Sequence, residues 1–143
     1  MALSDFRCTT RFRVPFCDID MLGHANHASY VVWAETARCL YFDEVLGESL
    51  TGQCGIILAH LEMDYEKPLD YREEAAVGCR IGRMGRKSFD FVYEIWSETR
   101  QARAAHGIST MVAFDYDRKT SILIPERWRE VVCAYELVAP SVT

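Results

Sequence analysis

Apolar and polar positions along this chain alternate with two different periods. In residues 6 to 16, "FRCTTRFRVPF", Phe12, Val14 and Phe16 share one side while Arg11 and Arg13 take the other. That period of two predicts a half-buried strand. A polar connection follows over 17 to 26. From about 27 to 46, "HASYVVWAETARCLYFDEVL", apolar residues recur at 30, 33, 34, 37, 40, 41 and 45, which predicts a helix. Val31 and Val32 add apolar surface on a second side, so the helix is expected to be central and wrapped by other structure.

The second half alternates again. Leu61, Met63 and Tyr65 interleave with His60, Glu62, Asp64 and Glu66, and "KPLDYREE" then turns the chain. Val77, Cys79 and Ile81 form the apolar side of another strand, which runs up to "GRMGRK", a hairpin signal. Phe89, Phe91, Tyr93 and Ile95 mark the next strand. After "QARAAHG", the last strand carries Ile108, Thr110, Val112, Phe114 and Tyr116, and "DYDRKTS" closes it as a turn. "IPERWREVVCAYEL" reads as a short terminal helix with Pro125 well placed at its start. The expected architecture is α+β: a five-stranded antiparallel sheet wrapped around a long central helix, in a single domain over 1–143.

Composition narrows the function classes. The chain has 143 residues, 50% hydrophobic and 26% charged, with a net charge of −5. These are ordinary globular values, and the negative balance argues against a whole-protein nucleic-acid binder. No apolar run reaches the length of a membrane span, and "MALSDFRCTT" lacks the apolar core of a signal peptide. The six cysteines are scattered, with no C-x-x-C, and read as free thiols in a cytoplasmic protein.

Several chemistries fail on spacing. "GRMGRKS" at 82 to 88 has Arg86 where a phosphate loop needs glycine before its lysine, and it joins two strands. "GIST" at 107 to 110 lacks the closing glycine of a nucleophile elbow. No dinucleotide glycine pattern follows the first strand. His24 and His27 stand without a third metal ligand, so no metal is expected.

Two features remain. The junction "FCDIDMLGHANHASY" packs Asp18, Asp20, Gly23, His24, Asn26 and His27 between strand and helix. Each is an ordinary turn or cap residue taken singly. Together they place a carboxylate beside a helix N-terminus, where free N–H groups and the helix dipole suit a developing oxyanion. The second feature is a run from 75 to 89 with Arg80, Arg83, Arg86 and Lys87 and no acid. It reads either as a strand edge protected by charge or as an anion-binding rim. Glu35 and Arg38, three apart on the helix, read either as an internal ion pair or as contacts to a partner subunit.

The junction, with its Asp-x-Asp-x-x-Gly and a helical Arg about ten residues on, resembles the signature of the hotdog-fold acyl-CoA thioesterases, in the 4-hydroxybenzoyl-CoA thioesterase group. "LEMDYEKPLDYREEAAVGCRIGRMGRKSFDFVYEIW" and "GISTMVAFDYDRKTSILIPERWRE" are similar to that family's later strands and terminal helix. The resemblance implies a hotdog fold with sites between subunits of a homodimer or homotetramer. It implies a thioester hydrolase in which Asp20 is nucleophile or general base, Gly23 completes the motif, and the His27 amide polarises the carbonyl. His27-Ala28-Ser29-Tyr30 is similar to one branch of the family, and Gly23-His24-Ala25-Asn26 to another. The turn Arg86-Lys87-Ser88 is similar to the family's coenzyme A phosphate contacts; Arg83 is expected to join them in holding the phosphates, and Tyr30 and Trp33 to lie beside the acyl group. Coenzyme A would enter as part of the substrate, with no separate cofactor. An acyl carrier protein thioesterase, or an acyl-binding protein without catalysis, are the alternative readings.

Overall fold

The computed structural model describes residues 3–49, 52 and 54–143. The expected domain over 1–143 thus includes Met1, Ala2, Leu50, Thr51 and Gln53, which lie outside the described residues. In chain order the elements are β1 (Cys8–Arg13), α1 (His27–Leu40), β2 (Cys54–Tyr65), β3 (Glu74–Met84), β4 (Ser88–Ser97), β5 (Ala102–Asp115), β6 (Thr120–Ser121), α2 (Glu126–Tyr135) and β7 (Ser141–Val142). The sheet is curled and mainly antiparallel, in the order β1-β3-β4-β5-β2. Two short strands extend this five-strand path: β6 pairs antiparallel with β5, and β7 runs parallel to the end of β3.

The sequence pattern is met in most elements and corrected in four places. β1 ends at Arg13 because Pro15 cannot donate to a ladder, and Phe16 opens a 3-10 turn with its ring 74% exposed. Phe16 therefore does not share a buried face with Phe12. β2 begins at Cys54, well before Leu61, because its apolar start pairs with β5 all the way to Asp115, with a register shift between Leu58 and His60. β5 likewise begins at Ala102, so most of "QARAAHG" is strand. The helix is α-helical for 14 residues and continues as a π segment over Tyr41–Val45.

One stripe of α1, including Tyr30, Trp33, Ala34 and Ala37, is buried, while Val32 is 55% exposed. Within one chain the second apolar side is therefore uncovered. The stripe packs with Val77, Ile81, Phe89, Phe91 and Ile95 of the sheet in one core. Arg38 is buried with this stripe. Its Nη1 donates to the Tyr93 hydroxyl (3.2 Å), while Glu35 Oε1 stands 3.6 Å from Nη2, too far for a direct hydrogen bond. The β3–β4 hairpin closes with Gly85 N donating to the Ser88 carbonyl (2.7 Å), as the "GRMGRK" signal predicts.

Glu73, just before β3, anchors the turn between β2 and β3. Its Oε1 accepts from Arg100 Nε (2.7 Å) and Ser97 Oγ (2.6 Å), and its Oε2 accepts from Arg100 Nη2 and from Asp70 N (2.5 Å). The Arg100 hydrogen bonds hold its carboxyl at about 2, against an ordinary 4.5 and against the opposing effect of burial. A carboxyl lowered on folding stabilises the native state above its unfolded value, and the contribution is lost as pH falls through the folded one. Because Arg100 is 40% exposed, the contribution is screened to roughly 2 kcal/mol. Glu73→Gln should lower the unfolding free energy at neutral pH by about that amount. The gap to the parent should narrow between pH 4.5 and about 2 in urea titrations. An equal gap at about pH 6 and about pH 2.5 would contradict the linkage.

Candidate active site

The junction between β1 and α1 folds into a tight loop. Ile19 bridges Ala25, Asp20 N donates to the His24 carbonyl (3.1 Å), and Gly23 N donates back to the Asp20 carbonyl (3.0 Å). Gly23 has φ +86, a conformation that side-chain-bearing residues rarely adopt, so its part in the motif is to make this turn. The Asp20 carboxylate is held at both oxygens: Oδ1 accepts from Leu22 N (2.8 Å), and Oδ2 accepts from Asn26 Nδ2 (3.0 Å). Asn26 is also the N-cap of α1. Its Oδ1 accepts from Ala28 N (2.9 Å), and its carbonyl accepts from Ser29 N (2.9 Å). Among the described residues none accepts from His27 N, which leaves that amide open at the start of the helix.

Beside this helix end lies an open cleft of about 290 Å³, bounded by His27 and Tyr30 on one side and by Tyr65, Glu66 and Lys67 on the other. The Tyr65 hydroxyl donates to the His27 carbonyl (2.9 Å). Burial raises the Tyr30 and Tyr65 phenols, so both are neutral at pH 7. Hydrogen bonds from Arg103 and then His106 hold the Glu66 carboxyl below its ordinary value. The Tyr30 hydroxyl accepts from Leu69 N (3.1 Å), which fixes the ring against the cleft. Asp20 does not line this cleft in a single chain. Tyr65, Glu66 and Lys67 escape a sequence reading because β2 carries them to the helix start from 38 residues or more downstream. The alternation of β2 is a clear signal, but its end point against α1 is not.

The two aspartates of the motif do different work. Asp18 Oδ2 accepts from Trp33 Nε1 (3.1 Å), so Asp18 serves as a strut for the indole. Trp33 stacks obliquely on Phe12 (4.8 Å between centroids) and neighbours Tyr30 (5.0 Å). With Phe12 and Val77 it lines a separate apolar cleft of about 270 Å³. Tyr30 and Trp33, expected beside one acyl group, thus face two adjoining clefts.

The β3–β4 hairpin gathers Arg83, Arg86, Lys87 and Ser88 around an open cavity of about 480 Å³, closed on one side by Thr143. Within it Arg83 is already matched: Nε donates to Asp90 Oδ2 (2.7 Å), Nη2 to Asp90 Oδ1 (3.0 Å), and Nη2 also to Ser88 Oγ (3.1 Å). These bonds hold the Asp90 carboxyl below its ordinary range. Arg80 leaves the group, lying over the Phe6 ring at 5.8 Å. The exposed cations are Arg86 and Lys87, and among the described residues neither forms an ion pair. His24 Nδ1 pairs with Asp70 Oδ1 (2.7 Å), and among the described residues no three His, Cys, Asp or Glu side chains gather to hold a metal.

A family model described as the thioesterase-like superfamily matches residues 14–132. Solved structures share the fold over nearly the whole chain. A Thermus thermophilus thioesterase, complexed with coenzyme A and Zn, is 29% identical with a TM-score of 0.81, covering 92% of this chain and 96% of that one. The PA5185 protein of Pseudomonas aeruginosa is 21% identical with a TM-score of 0.85, covering 95% and 96%. A 1,4-dihydroxy-2-naphthoyl-CoA thioesterase from Synechocystis is 18% identical with a TM-score of 0.77, covering 87% and 94%. No curated protein sequence matches the chain.

Tyr30→Phe tests the wall of the cleft. It leaves the buried Leu69 N–H without its acceptor and should cost about 1–3 kcal/mol of stability in urea unfolding. A variant as stable as the parent would show that the bond is dispensable.

Proposed function

The chain belongs to the thioesterase-like superfamily and is a thioester hydrolase with a hotdog fold; on that premise we propose that it hydrolyses acyl-CoA at the loop before α1. The observation that carries this reading is the Asp20 carboxylate tied to the start of α1, where the His27 amide has no acceptor among the described residues. Asp20 attacks the thioester carbonyl or takes a proton from the attacking water. A carbon–oxygen bond forms to Asp20 or to the water, negative charge gathers on the carbonyl oxygen, and the carbon–sulfur bond then breaks; where Asp20 is the nucleophile, water next cleaves the mixed anhydride, releasing the acid and freeing the carboxylate. The His27 N–H and the positive end of α1 stabilise that oxygen, and such a donor is worth roughly 3–4 kcal/mol of barrier. A thiol with a pKa of roughly 8.5 leaves readily as thiolate, so no strong general acid is required. We assign the His27 imidazole, which lines the cleft, the lesser role of orienting the water.

On this reading the nucleotide phosphates rest at the hairpin cavity. Arg86 and Lys87 supply the charge, while Arg83, matched to Asp90, serves to fix Ser88 and the turn. The acyl group lies against the Tyr30 ring and reaches toward the adjoining cleft that Trp33 lines. Coenzyme A enters within the substrate and no separate cofactor is assigned. The Thermus relative complexed with coenzyme A supports this substrate class. We also assign a homodimer or homotetramer. Among the described residues the outer edge of β2 is unpaired, and the strand carries Ile57 and Leu58, 40% and 47% exposed, which a second copy would cover. No helix among the described residues is long and apolar enough to cross a membrane.

Asp20→Asn should cut kcat by roughly 10²–10⁴-fold with its melting temperature preserved. Thiol release from an acyl-CoA panel gives the measurement, and turnover at the parent rate would remove Asp20 from the mechanism. Arg86→Ala with Lys87→Ala should raise KM for CoA esters about tenfold or more, the worth of one charge-assisted hydrogen bond. KM for a short thioester lacking the nucleotide should barely move, and equal rises for both would count against the phosphate assignment.

A further inference from the structure

One side chain joins the two halves of the site. The Asn26 carboxamide donates through Nδ2 to Asp20 Oδ2 (3.0 Å) and accepts through Oδ1 from Ala28 N (2.9 Å). The two contacts sit on opposite corners of one rigid planar group. Its own position is fixed by the backbone, since Asn26 N donates to the Asp18 carbonyl (2.7 Å). The side chain is half-buried.

Capping alone does not select asparagine here. Asn, Asp and Ser cap a helix about equally well. Of these three, only asparagine carries its acceptor and its donor on two separate atoms, so that Oδ1 can take the helix amide while Nδ2 reaches a carboxylate on the other side. Aspartate in its place would cap α1 but set a second negative charge against Asp20. Serine would cap α1 with its single oxygen, one bond out from Cβ, and its hydroxyl held at the helix amide is too short to replace Asn26 Nδ2 at Asp20 Oδ2. With Leu22 N on Oδ1 and Asn26 Nδ2 on Oδ2, each carboxylate oxygen is restrained once. Lone pairs remain on both for a water or a carbonyl carbon. The other ionisable groups of the loop are aimed elsewhere: Asp18 to the Trp33 indole, His24 to Asp70, and His27 to the cleft.

We propose that Asn26 is a positioning residue that sets the Asp20 carboxylate relative to the open His27 amide, by bonding the carboxylate and the first turn of α1 with one amide group. This rests on the reading of Asp20 as base or nucleophile. Asn26 touches neither water nor substrate in the reaction; it acts through Asp20. A reacting group displaced by about 1 Å costs roughly 10²-fold in rate, so the effect belongs in kcat.

The test uses Asn26→Ser, Asn26→Asp, Asp20→Asn and the Asp20→Asn/Asn26→Ser double variant of the full chain. Both single Asn26 variants should melt close to the parent, since the cap acceptor is kept. Each should lose kcat by roughly 10–100-fold, with KM changed less than about threefold. Asn26→Asp should also move the acid limb of the kcat/KM profile upward by about one pH unit or more, because two carboxylates then share the site. In the Asp20→Asn background, Asn26→Ser should add almost nothing. Should Asn26→Ser melt early, the acid limb of Asn26→Asp decides. Asn26→Ser at the parent kcat, or the same fold-loss with and without Asp20, would overturn the positioning role while an inactive Asp20→Asn keeps the catalytic assignment. A fully active Asp20→Asn would overturn both.

Discussion

Leu69 holds the site together through its backbone. Its carbonyl accepts from Ala25 N (2.8 Å) and its amide donates to the Tyr30 hydroxyl, so one fully buried residue grips the chain on both sides of the α1 start. Among the described residues, no other backbone hydrogen bond ties the loop carrying Asp20 or the first turn of α1 to the turn between β2 and β3. That turn is in turn locked by Glu73, whose carboxylate gathers Arg100, Ser97 and the Asp70 amide. Rigidity therefore passes from a charged cluster at the sheet end, through a buried peptide, into the loop where chemistry is assigned. A buried polar group left unpaired is costly, so these bonds are hard to open one at a time.

Within that frame the polar side chains divide their roles by partner. Asp18 and Asp20 stand two residues apart, yet one steadies an indole and the other faces the helix start. The same division appears at the hairpin, where Arg83 is balanced by Asp90 while Arg86 and Lys87 project unbalanced. At the hairpin the matched group shapes the turn, and the two cations without an ion pair are the ones assigned above to a ligand. Charge count alone would have treated them as equivalent.

Much of this was legible in the sequence, and what was hidden shares one physical character. The stripe at 30, 33, 34 and 37 marks α1, the alternation at 89, 91, 93 and 95 marks β4, and "GRMGRK" marks the turn between β3 and β4. The Asp-x-Asp-x-x-Gly spacing points to the loop. These are local signals. The early start of β2 is hidden because Cys54 to Ala59 is a nearly continuous apolar run without alternation. The pairing of Arg83 with Asp90 depends on strands folding back, as do the reach of Tyr65 to His27 and the grip of Leu69. No periodicity encodes such contacts. Asn26 lies between these cases: its cap was readable, but its second bond needed the loop to close on itself.

The end of a helix is ordinarily where it frays first, because its opening amides lack partners. Here that first turn is bound by Asn26 from within, by Leu69 through Tyr30, and by the Tyr65 hydroxyl on the His27 carbonyl. Warming cannot peel the turn away on its own without breaking into the sheet. The His27 amide, assigned above to the oxyanion, is thereby drawn from the loosest part of a helix into the same cooperative unit as the core, and on that assignment heat would silence it only as the whole protein melts.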